Sequence, residues 1–369
     1  MRKQLHREKI LAIKPYVPGK PVEEVERELG ISDVIKLASN ENPLGPAPAA
    51  IRVLQGMLDN VSVYPDGNCY YLKTALAEKL GILPANLIVG NGSDEIIKMI
   101  AEAFLDEGEE AIVADPTFSE YDFAVKVMGG RTVVVPTKDL THDLTAMAEA
   151  INEKTKLVFI CNPNNPTGTI VKKDAVQAFM ARVPEDVIIV FDEAYYEYVR
   201  DEQYPQTLDY VRAGRNVIVL RTFSKIYGLA GLRVGYGVST PELIGMLSRV
   251  KEPFNVNLLS QAAALAALGD KEHLADSRQV NEEGKAYLYS EFSRLGLLYE
   301  PTEANFIWVE IKADCQKVFN KMLRRGVIVR TGDIFGAPDV LRITIGTAEQ
   351  NKRLISTLEA VLTEEGVLG

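Results

Sequence analysis

Residues 217–233 read VIVLRTFSKIYGLAGLR and join a continuous apolar run to a loop that is rich in reactive side chains. Four consecutive aliphatic residues at 217–220 are typical of a strand that is buried on both faces. Where this strand ends, the segment supplies two hydroxyls, an amine and two guanidiniums: Thr222, Ser224, Lys225, Arg221 and Arg233. A lysine there can form a Schiff base, and hydroxyls beside an arginine can hold a phosphate. The alternative for the lysine is an ordinary exposed loop position.

The same kind of apolar run recurs in the earlier part of the chain. These further runs lie at residues 87–89, 111–113, 132–135, 157–160 and 187–190. Segments with helical patterning separate most of them, such as residues 94–104 and 172–182. Buried strands that alternate with amphipathic helices predict an α/β fold, with a mainly parallel sheet between helices. Ligands of such sheets bind at the carboxyl ends of the strands.

The remaining segments are patterned differently, and we expect a second, smaller domain. Residues 1–40 contain several prolines and are predicted to form an N-terminal arm that packs on the small domain. Residues 41–250 form the predicted large domain, and the helical segment 251–295 connects it to the next. Residues 296–369 have the pattern of a small α+β C-terminal domain.

The composition excludes several classes of protein. The 369 residues include 41 Lys plus Arg and 51 Asp plus Glu, and the net charge of −10 argues against binding along a nucleic-acid backbone. Three histidines and three cysteines are scattered singly, so we expect no metal site, no Ser/His/Asp triad and no disulfide framework. The charged N-terminus and the lack of a long apolar run predict a cytoplasmic protein without a membrane span.

Two further loops place polar side chains after predicted strands. Asp192 follows one strand directly, and Tyr195 lies in the same loop. An acid at this point coordinates a metal, pairs with a cationic ring nitrogen or caps a helix. Asn165 belongs to the sequence CNPNNPTG at residues 161–168, where two prolines stiffen the loop. Plain turn chemistry also accounts for that loop, so neither segment decides the function alone.

The sequence GNGSDE at residues 90–95 is typical of a helix start that binds phosphate. Its glycines let the backbone amides near Ser93 and Asp94 approach an anion. It is also half of a dinucleotide-binding fingerprint, in which Glu95 replaces the third glycine, so a nicotinamide oxidoreductase stays an alternative. Simple helix capping by Ser93 or Asp94 is compatible with either function.

Taken together, these motifs resemble the pyridoxal-phosphate aminotransferases of fold type I. Lys225, Asp192 and the Asn165 loop occur in the order of that family and at similar spacing. Segments similar to its histidinol-phosphate aminotransferase branch extend over nearly the whole chain, at residues 15–19, 40–46, 64–67 and 253–257. The resemblance implies a large domain with a mainly parallel, seven-stranded sheet between helices, a smaller α+β C-terminal domain and an N-terminal arm.

The resemblance also implies roles for the motif residues. Lys225 would be the Schiff-base partner of pyridoxal 5′-phosphate and the general base, which requires a pKa well below ~10.4. Asp192 would keep the pyridine nitrogen protonated, and Tyr195 would hydrogen-bond the phenolic oxygen of the ring; these three are the implied catalytic residues. The other implied cofactor contacts are Ser93, Asp94, Phe118, Asn165, Thr222, Ser224, Arg233 and Tyr64.

On the substrate side, the resemblance implies contacts from Tyr16, Asn42, Arg330 and Arg342. Arg342 would hold a carboxylate, and Arg330 with Tyr16 would hold the phosphate of histidinol phosphate. The amino group would pass to 2-oxoglutarate, giving imidazole acetol phosphate and glutamate in histidine biosynthesis. Tyr64 would reach the cofactor phosphate of the neighbouring subunit, so the resemblance implies a homodimer.

Three alternatives share this fold. An aromatic aminotransferase of the same branch would use phenylalanine or tyrosine, and a related phosphoamino-acid decarboxylase would release carbon dioxide. Aminotransferase-like domains also act as ligand sensors in transcription regulators. That function needs a DNA-binding segment, and the irregular first forty residues have no helix-turn-helix pattern.

Overall fold

A computed structural model of the chain describes residues 5–13, 15 and 19–368. The α-helices are α1 (Val22–Leu29), α2 (Pro48–Gln55), α3 (Tyr70–Leu80), α4 (Ser93–Phe104), α5 (Glu120–Met128), α6 (Leu144–Glu149), α7 (Lys173–Met180), α8 (Leu208–Arg212), α9 (Pro241–Val250), α10 (Leu258–Leu268), α11 (Lys271–Arg294), α12 (Cys315–Arg324) and α13 (Ala348–Glu364). The strands are β1 (Ile35–Lys36), β2 (Leu87–Gly90), β3 (Glu110–Asp115), β4 (Arg131–Pro136), β5 (Thr155–Cys161), β6 (Ile188–Asp192), β7 (Val217–Thr222), β8 (Gly235–Val238), β9 (Leu298–Glu300), β10 (Phe306–Glu310), β11 (Val327–Ile328), β12 (Arg330–Thr331) and β13 (Val340–Thr344).

The large sheet has seven strands in the order β2-β8-β7-β6-β5-β3-β4. All neighbouring pairs are parallel except the two that involve β8, which runs antiparallel to β2 and to β7. The predicted fold class is therefore confirmed. The apolar runs predicted all strands of this sheet except β8, because its sequence, Gly235-Tyr236-Gly237-Val238, lacks a continuous aliphatic run.

Helices cover both faces of this sheet. Successive strand residues alternate between two apolar clusters: Ile189 and Val219 pack with α7 residues, whereas Val190 and Leu220 pack with residues of α4, α5 and α9. Burial on both faces explains why the strand sequences are continuously aliphatic rather than alternating. Each fully buried aliphatic side chain stabilises the fold by about 1.5–3 kcal/mol.

The C-terminal part of the chain forms an antiparallel sheet in the order β12-β13-β10-β9. Residues of α11, α12 and α13 pack on it in a separate apolar cluster. Helix α11 links this cluster to the large sheet, since Leu274 packs in the core of the large sheet and Phe292 packs in the C-terminal core. The two cores agree with a large and a small domain, while the exact domain boundaries stay a prediction.

The N-terminal segment contacts both parts of the molecule. Strand β1 pairs in parallel with β11, and Val25 of α1 packs against Leu323 and Ile328 of the small domain. By contrast, the 3₁₀-helix Glu8–Ala12 lies against α5, where Lys9 Nζ donates to the Gly129 carbonyl at 3.4 Å. The assignment of residues 1–40 to an arm that packs on the small domain stays a prediction. Within the described residues, no helix is long and apolar enough to span a membrane.

Gly228 allows two loops of the large domain to meet. Its φ is +70°, and a Cβ atom at this position would lie 2.0 Å from the Gly45 carbonyl oxygen. We expect Gly228→Ala to lower the free energy of unfolding by about 3 kcal/mol, because a clash with backbone adds to left-handed strain. Urea denaturation measures the change. Gly245→Ala in α9 is the control, since a Cβ there meets no atom within 4 Å and should not destabilise the protein; equal stability of both variants would contradict the prediction.

Candidate active site

The predicted site residues meet at the carboxyl ends of three adjacent parallel strands. Strand register pairs Cys161 of β5 with Asp192 of β6, and Asp192 with Leu220 of β7. The loops that follow these positions therefore start at the same edge of the sheet. They carry Asn165, Asp192, Tyr195, Ser224 and Lys225.

Lys225 lies in an environment that favours its neutral form. Its Nζ donates to the Ser39 carbonyl at 3.3 Å and lies 5.6 Å from the centroid of the Tyr195 ring. Burial lowers the pKa of Lys225 to about 8, assisted by the positive charges of Arg342 and Arg233. About half of this amine is therefore neutral at pH 8 and about a tenth at pH 7, far more than for an ordinary lysine, and a nucleophile or a general base requires the neutral form.

Asp192 is a buried acid at the end of β6. Its Oδ2 accepts a hydrogen bond from the Tyr121 hydroxyl at 2.8 Å, and its Oδ1 accepts from the Ala194 N–H at 3.2 Å. Burial raises the pKa of Asp192 to about 6. A cation placed beside this carboxylate would reverse that shift. The described part of the chain contains no cluster of three or more potential metal ligands.

A cradle for an anion lies at the start of α4. Arg233 Nη2 contacts Asp94 Oδ2 at 2.9 Å, and its Nη1 lies 3.4 Å from Ser224 Oγ. The backbone approaches closely here, because a Cβ on Gly235 would lie 2.6 Å from the Ser93 nitrogen. Helix N–H groups, a hydroxyl and a guanidinium together form a donor set that suits a phosphate.

The remaining predicted cofactor residues differ in their surroundings. The Thr222 hydroxyl accepts from the Ser224 N–H at 3.0 Å, so it holds the loop that presents Ser224. The Phe118 ring packs edge-on against Tyr121, with centroids 5.6 Å apart. Tyr64, by contrast, is 79% exposed, and its ring stacks on Phe254 at 4.7 Å. Within one chain, Tyr64 therefore faces outward.

Arg342 reaches from the small domain into this region. Its Nη1 donates to Asn165 Oδ1 at 2.5 Å, and its Nη2 donates to the Ala38 carbonyl at 2.6 Å. Since Asn165 Oδ1 is thereby used as the acceptor, the amide nitrogen of Asn165 is the end that can donate to a ligand. The bond links the Asn165 loop of the large sheet to β13.

The predicted substrate residues are only partly brought together. Arg330 and Arg342 are directly paired across β12 and β13, so both side chains lie on one face of the small sheet. Asn42 is occupied elsewhere: its Nδ2 donates to the Ile226 carbonyl and to Ser277 Oγ, and its Oδ1 accepts from the Leu44 N–H. These bonds favour a structural role for Asn42. Tyr16 lies outside the described residues.

Sequence reasoning missed two residues that touch the site. Tyr121 donates to Asp192, and Asn40 Nδ2 donates to the Tyr195 hydroxyl at 2.9 Å. Tyr121 follows the predicted cofactor contact Phe118 by three positions, in the first turn of α5, and this closeness in sequence was the available signal. Asn40 begins the NENPLGP segment already singled out, yet nothing in the sequence indicates which side chain it contacts.

These residues fit a phosphate-bearing, aldehyde-bearing aromatic cofactor. The close approach of Gly235 to Ser93 forms a cradle that a Cβ would fill, and the amine, the carboxylate and the phosphate donors lie around one strand edge. Pyridoxal 5′-phosphate has matching groups: an aldehyde for Lys225, a ring nitrogen for Asp192 and a phosphate for Arg233.

Comparison with known proteins agrees with this site. Residues 32–358 match the family "Aminotransferase class I and II". The chain is 64% identical to a histidinol-phosphate aminotransferase of Moorella thermoacetica, over 96% of this chain and 92% of the relative. It is 50% identical to one of Brevibacillus brevis, over 97% and 98% of the two chains.

A solved structure leads to the same family. The histidinol-phosphate aminotransferase of Sinorhizobium meliloti, in complex with pyridoxal-5′-phosphate, superposes with a TM-score of 0.90 at 27% identity, and the match covers 99% of both chains. Aspartate aminotransferase of Thermus thermophilus, 23% identical with a TM-score of 0.84, shares the fold. The chain belongs to the family of class I and II aminotransferases, in which the histidinol-phosphate aminotransferases named above are its relatives.

Proposed function

We propose that this protein transfers the amino group of histidinol phosphate to 2-oxoglutarate, with pyridoxal 5′-phosphate as cofactor. The observation that carries the proposal is the placement of Arg330 and Arg342 at directly paired positions. Two guanidiniums on one face of the sheet can bind a single anion together, and a phosphorylated or carboxylated substrate supplies such an anion. The 64% identity to a relative named for this activity supports the choice of substrate.

Separate groups of residues would hold the phosphate and the ring of the cofactor. Arg233, Ser224 and the N–H groups of Ser93 and Asp94 would hold its phosphate. Phe118 would stack on the ring, and Thr222 would support the phosphate loop through the N–H of Ser224. When bound, pyridoxal 5′-phosphate supplies an electron sink for the carbanion that deprotonation of the substrate creates.

The protein's own groups then have three tasks. Lys225, through the neutral fraction of its amine, would remove the proton from the amino-bearing carbon of the substrate and would carry it to the cofactor's carbonyl carbon. Asp192 would keep the proton on the ring nitrogen by its negative charge. Tyr195 and the Asn165 amide nitrogen would donate to the phenolic oxygen of the ring and so stabilise negative charge there.

Arg342 and Arg330 would orient the two substrates in turn. A planar guanidinium binds carboxylate or phosphate through two parallel hydrogen bonds, so the same pair of arginines accepts the phosphate of histidinol phosphate and the carboxylates of glutamate. Tyr16 would assist Arg330. In binding a carboxylate, Arg342 would exchange its contact with Asn165 for one with the substrate.

A homodimer would complete the site. Tyr64 is exposed in the single chain together with neighbouring apolar residues, namely Leu58, Val61, Val63, Tyr70 and Tyr71. Apolar surface of this extent marks an interaction surface. Two copies that cover it would allow Tyr64 of one to reach the cofactor phosphate of the other. Sedimentation equilibrium measures the mass, and a monomer with full activity would contradict this arrangement.

The shifted pKa of Lys225 predicts how its reactivity depends on pH. Because burial lowers the pKa to about 8, the amine of the cofactor-free protein should lose its proton two or more pH units below an ordinary lysine. Labelling of Lys225 by acetic anhydride should therefore rise with pH and reach half its maximum near pH 8. Mass spectrometry measures the labelling, with the exposed Lys172 as internal reference. A midpoint above pH 10 would contradict the shift.

A half-reaction measurement tests the proposed substrate. The protein with bound cofactor is mixed with histidinol phosphate, glutamate or phenylalanine, and conversion of the cofactor to its amine form is followed by absorbance. We expect fast conversion with histidinol phosphate and glutamate and slow conversion with phenylalanine. Fast conversion by phenylalanine alone would indicate an aromatic aminotransferase, and release of carbon dioxide would indicate a decarboxylase.

A further inference from the structure

Asn40 connects the small-domain strand β13 to Tyr195. It is 1% exposed, and its Nδ2 donates to the Tyr195 hydroxyl at 2.9 Å. Its backbone N–H donates to Thr344 Oγ1 at 3.0 Å, and the Thr344 hydroxyl lies 3.0 Å from Asn40 Oδ1. The Asn40 carbonyl accepts from Asn305 Nδ2 at 3.0 Å. Every polar group of this buried residue is therefore used.

The backbone of Asn40 is held in an uncommon conformation. Its φ of +57° lies in the left-handed region, which asparagine tolerates better than most residues do. The two residues before Asn40 also make contacts: the Ser39 carbonyl accepts from Lys225, and the Ala38 carbonyl accepts from Arg342. The segment thus lies between the reactive lysine and the small domain, and hydrogen bonds hold the Asn40 side chain in place there.

The hydrogen bonds around Asn40 have a defined direction. Thr344 Oγ1 accepts the Asn40 N–H, so the Thr344 hydroxyl hydrogen is the one that goes to Asn40 Oδ1. This fixes the amide, and Nδ2 must face Tyr195. The Tyr195 oxygen is then an acceptor, which leaves its own hydrogen to be donated. Among the residues that the structure describes, none accepts that hydrogen.

We propose that Asn40, oriented by Thr344, is a positioning residue that keeps the Tyr195 hydroxyl as a donor toward the phenolic oxygen of the bound cofactor. The inference rests on the proposed function, because Tyr195 must face the cofactor. It gives β13 a connection to the cofactor through Thr344, separate from the contact that Arg342 makes with Asn165. A carbonyl or carboxylate in place of the Asn40 amide nitrogen would draw the Tyr195 hydrogen away from the cofactor.

Asn40→Asp tests the direction of the hydrogen bonds that run from Thr344 through Asn40 to Tyr195, which we call the relay. Aspartate has nearly the same shape as asparagine, tolerates positive φ and only accepts hydrogen bonds when ionised. In this variant the Tyr195 hydroxyl no longer donates to the phenolic oxygen of the cofactor, and the aspartate adds a negative charge. Both changes favour the protonated form of the cofactor. The pH midpoint of its visible absorption band should therefore rise by about 1 unit or more. Thr344→Val should move the midpoint in the same direction, since it frees the amide to rotate. Thr344→Ser keeps the hydroxyl and should not move it.

The titration compares these variants with Tyr195→Phe as the reference. The other charged and titratable groups around Tyr195 in the described residues are Lys225, Arg342, Asp192, Cys161 and Tyr198, and they are the same in all variants. A shift in Tyr195→Phe but none in Asn40→Asp or Thr344→Val would overturn the inference and leave the proposed function intact. No shift in Tyr195→Phe, or no visible band in the wild type, would overturn both.

Folding is controlled separately. A merely structural role of Asn40 would lower the melting temperature without moving the band, and that result would also overturn the inference. If Asn40→Asp does not fold, the comparison between Thr344→Val and Thr344→Ser decides: a difference in their midpoints supports the relay, and equal midpoints reject it.

Discussion

Replacing Lys225 with alanine should lower the transamination rate by about 10⁴-fold or more, while the protein still folds. Burial lowers the pKa of this amine to about 8, and the amine lies beside the Ser39 carbonyl and the Tyr195 ring. Removing it deletes both the partner of the cofactor's aldehyde and the proton carrier. Steady-state turnover with histidinol phosphate and 2-oxoglutarate measures the loss.

Two controls separate chemistry from folding. Lys79→Ala removes another lysine whose pKa is lowered by burial and whose Nζ lies 3.3 Å from the Tyr227 hydroxyl, and turnover should change little. Added methylamine should partly restore turnover in Lys225→Ala, because a small amine can take the proton in the space that the side chain leaves. Wild-type turnover in Lys225→Ala would reject the assignment of the base.

The part of the site that the sequence predicts is the part that depends on strand ends. Continuous aliphatic runs locate β5, β6 and β7, and parallel strands place their carboxyl ends at one edge. Asp192 and Lys225 follow those runs directly, so their proximity could be predicted before any distance was known. The roles assigned to them came from the family resemblance. The pattern of strands alone does not distinguish a reactive lysine from an ordinary exposed one.

Contacts between distant segments could not be predicted in this way. Asn40 is separated from Thr344 by 304 positions, and its partners depend on how the small domain packs on the large one. Asn42, two residues later in the same segment, is predicted to contact substrate, and in the structure its amide nitrogen donates to Ile226 and Ser277. No local pattern distinguishes the two asparagines, because both are polar residues in one irregular segment.

The antiparallel strand β8 is a part of the fold that the sequence pattern also did not predict. Gly235 and Gly237 weaken its strand pattern, yet both glycines are needed for close packing: a Cβ on Gly237 would lie 3.1 Å from Ile88 Cγ2. Close approach of Gly235 to Ser93 also forms the phosphate cradle. The glycines that make β8 difficult to predict from the sequence are thus required for close packing, and Gly235 is required for the site.

Asp192→Asn is expected to lower turnover by about 10³-fold, because it removes the charge that would hold a proton on the cofactor's ring nitrogen. Asparagine has the same shape and can still accept from Tyr121, so the fold should be kept. Asp115→Asn is the matched control: this acid also ends a strand of the sheet, but it is exposed, and its loss should not change turnover.

The pH dependence of cofactor binding gives Asp192→Asn a second readout. The pKa of Asp192 is raised to about 6 in the cofactor-free protein, so the carboxyl is neutral below that pH and charged above it. A protonated ring nitrogen binds more tightly to the charged form. Cofactor affinity of the wild type should therefore fall as the pH drops through 6, and this dependence should disappear in Asp192→Asn. The same pH dependence in both proteins would mean that another group pairs with the ring nitrogen, because Asp192 is the titrating acid that the variant removes.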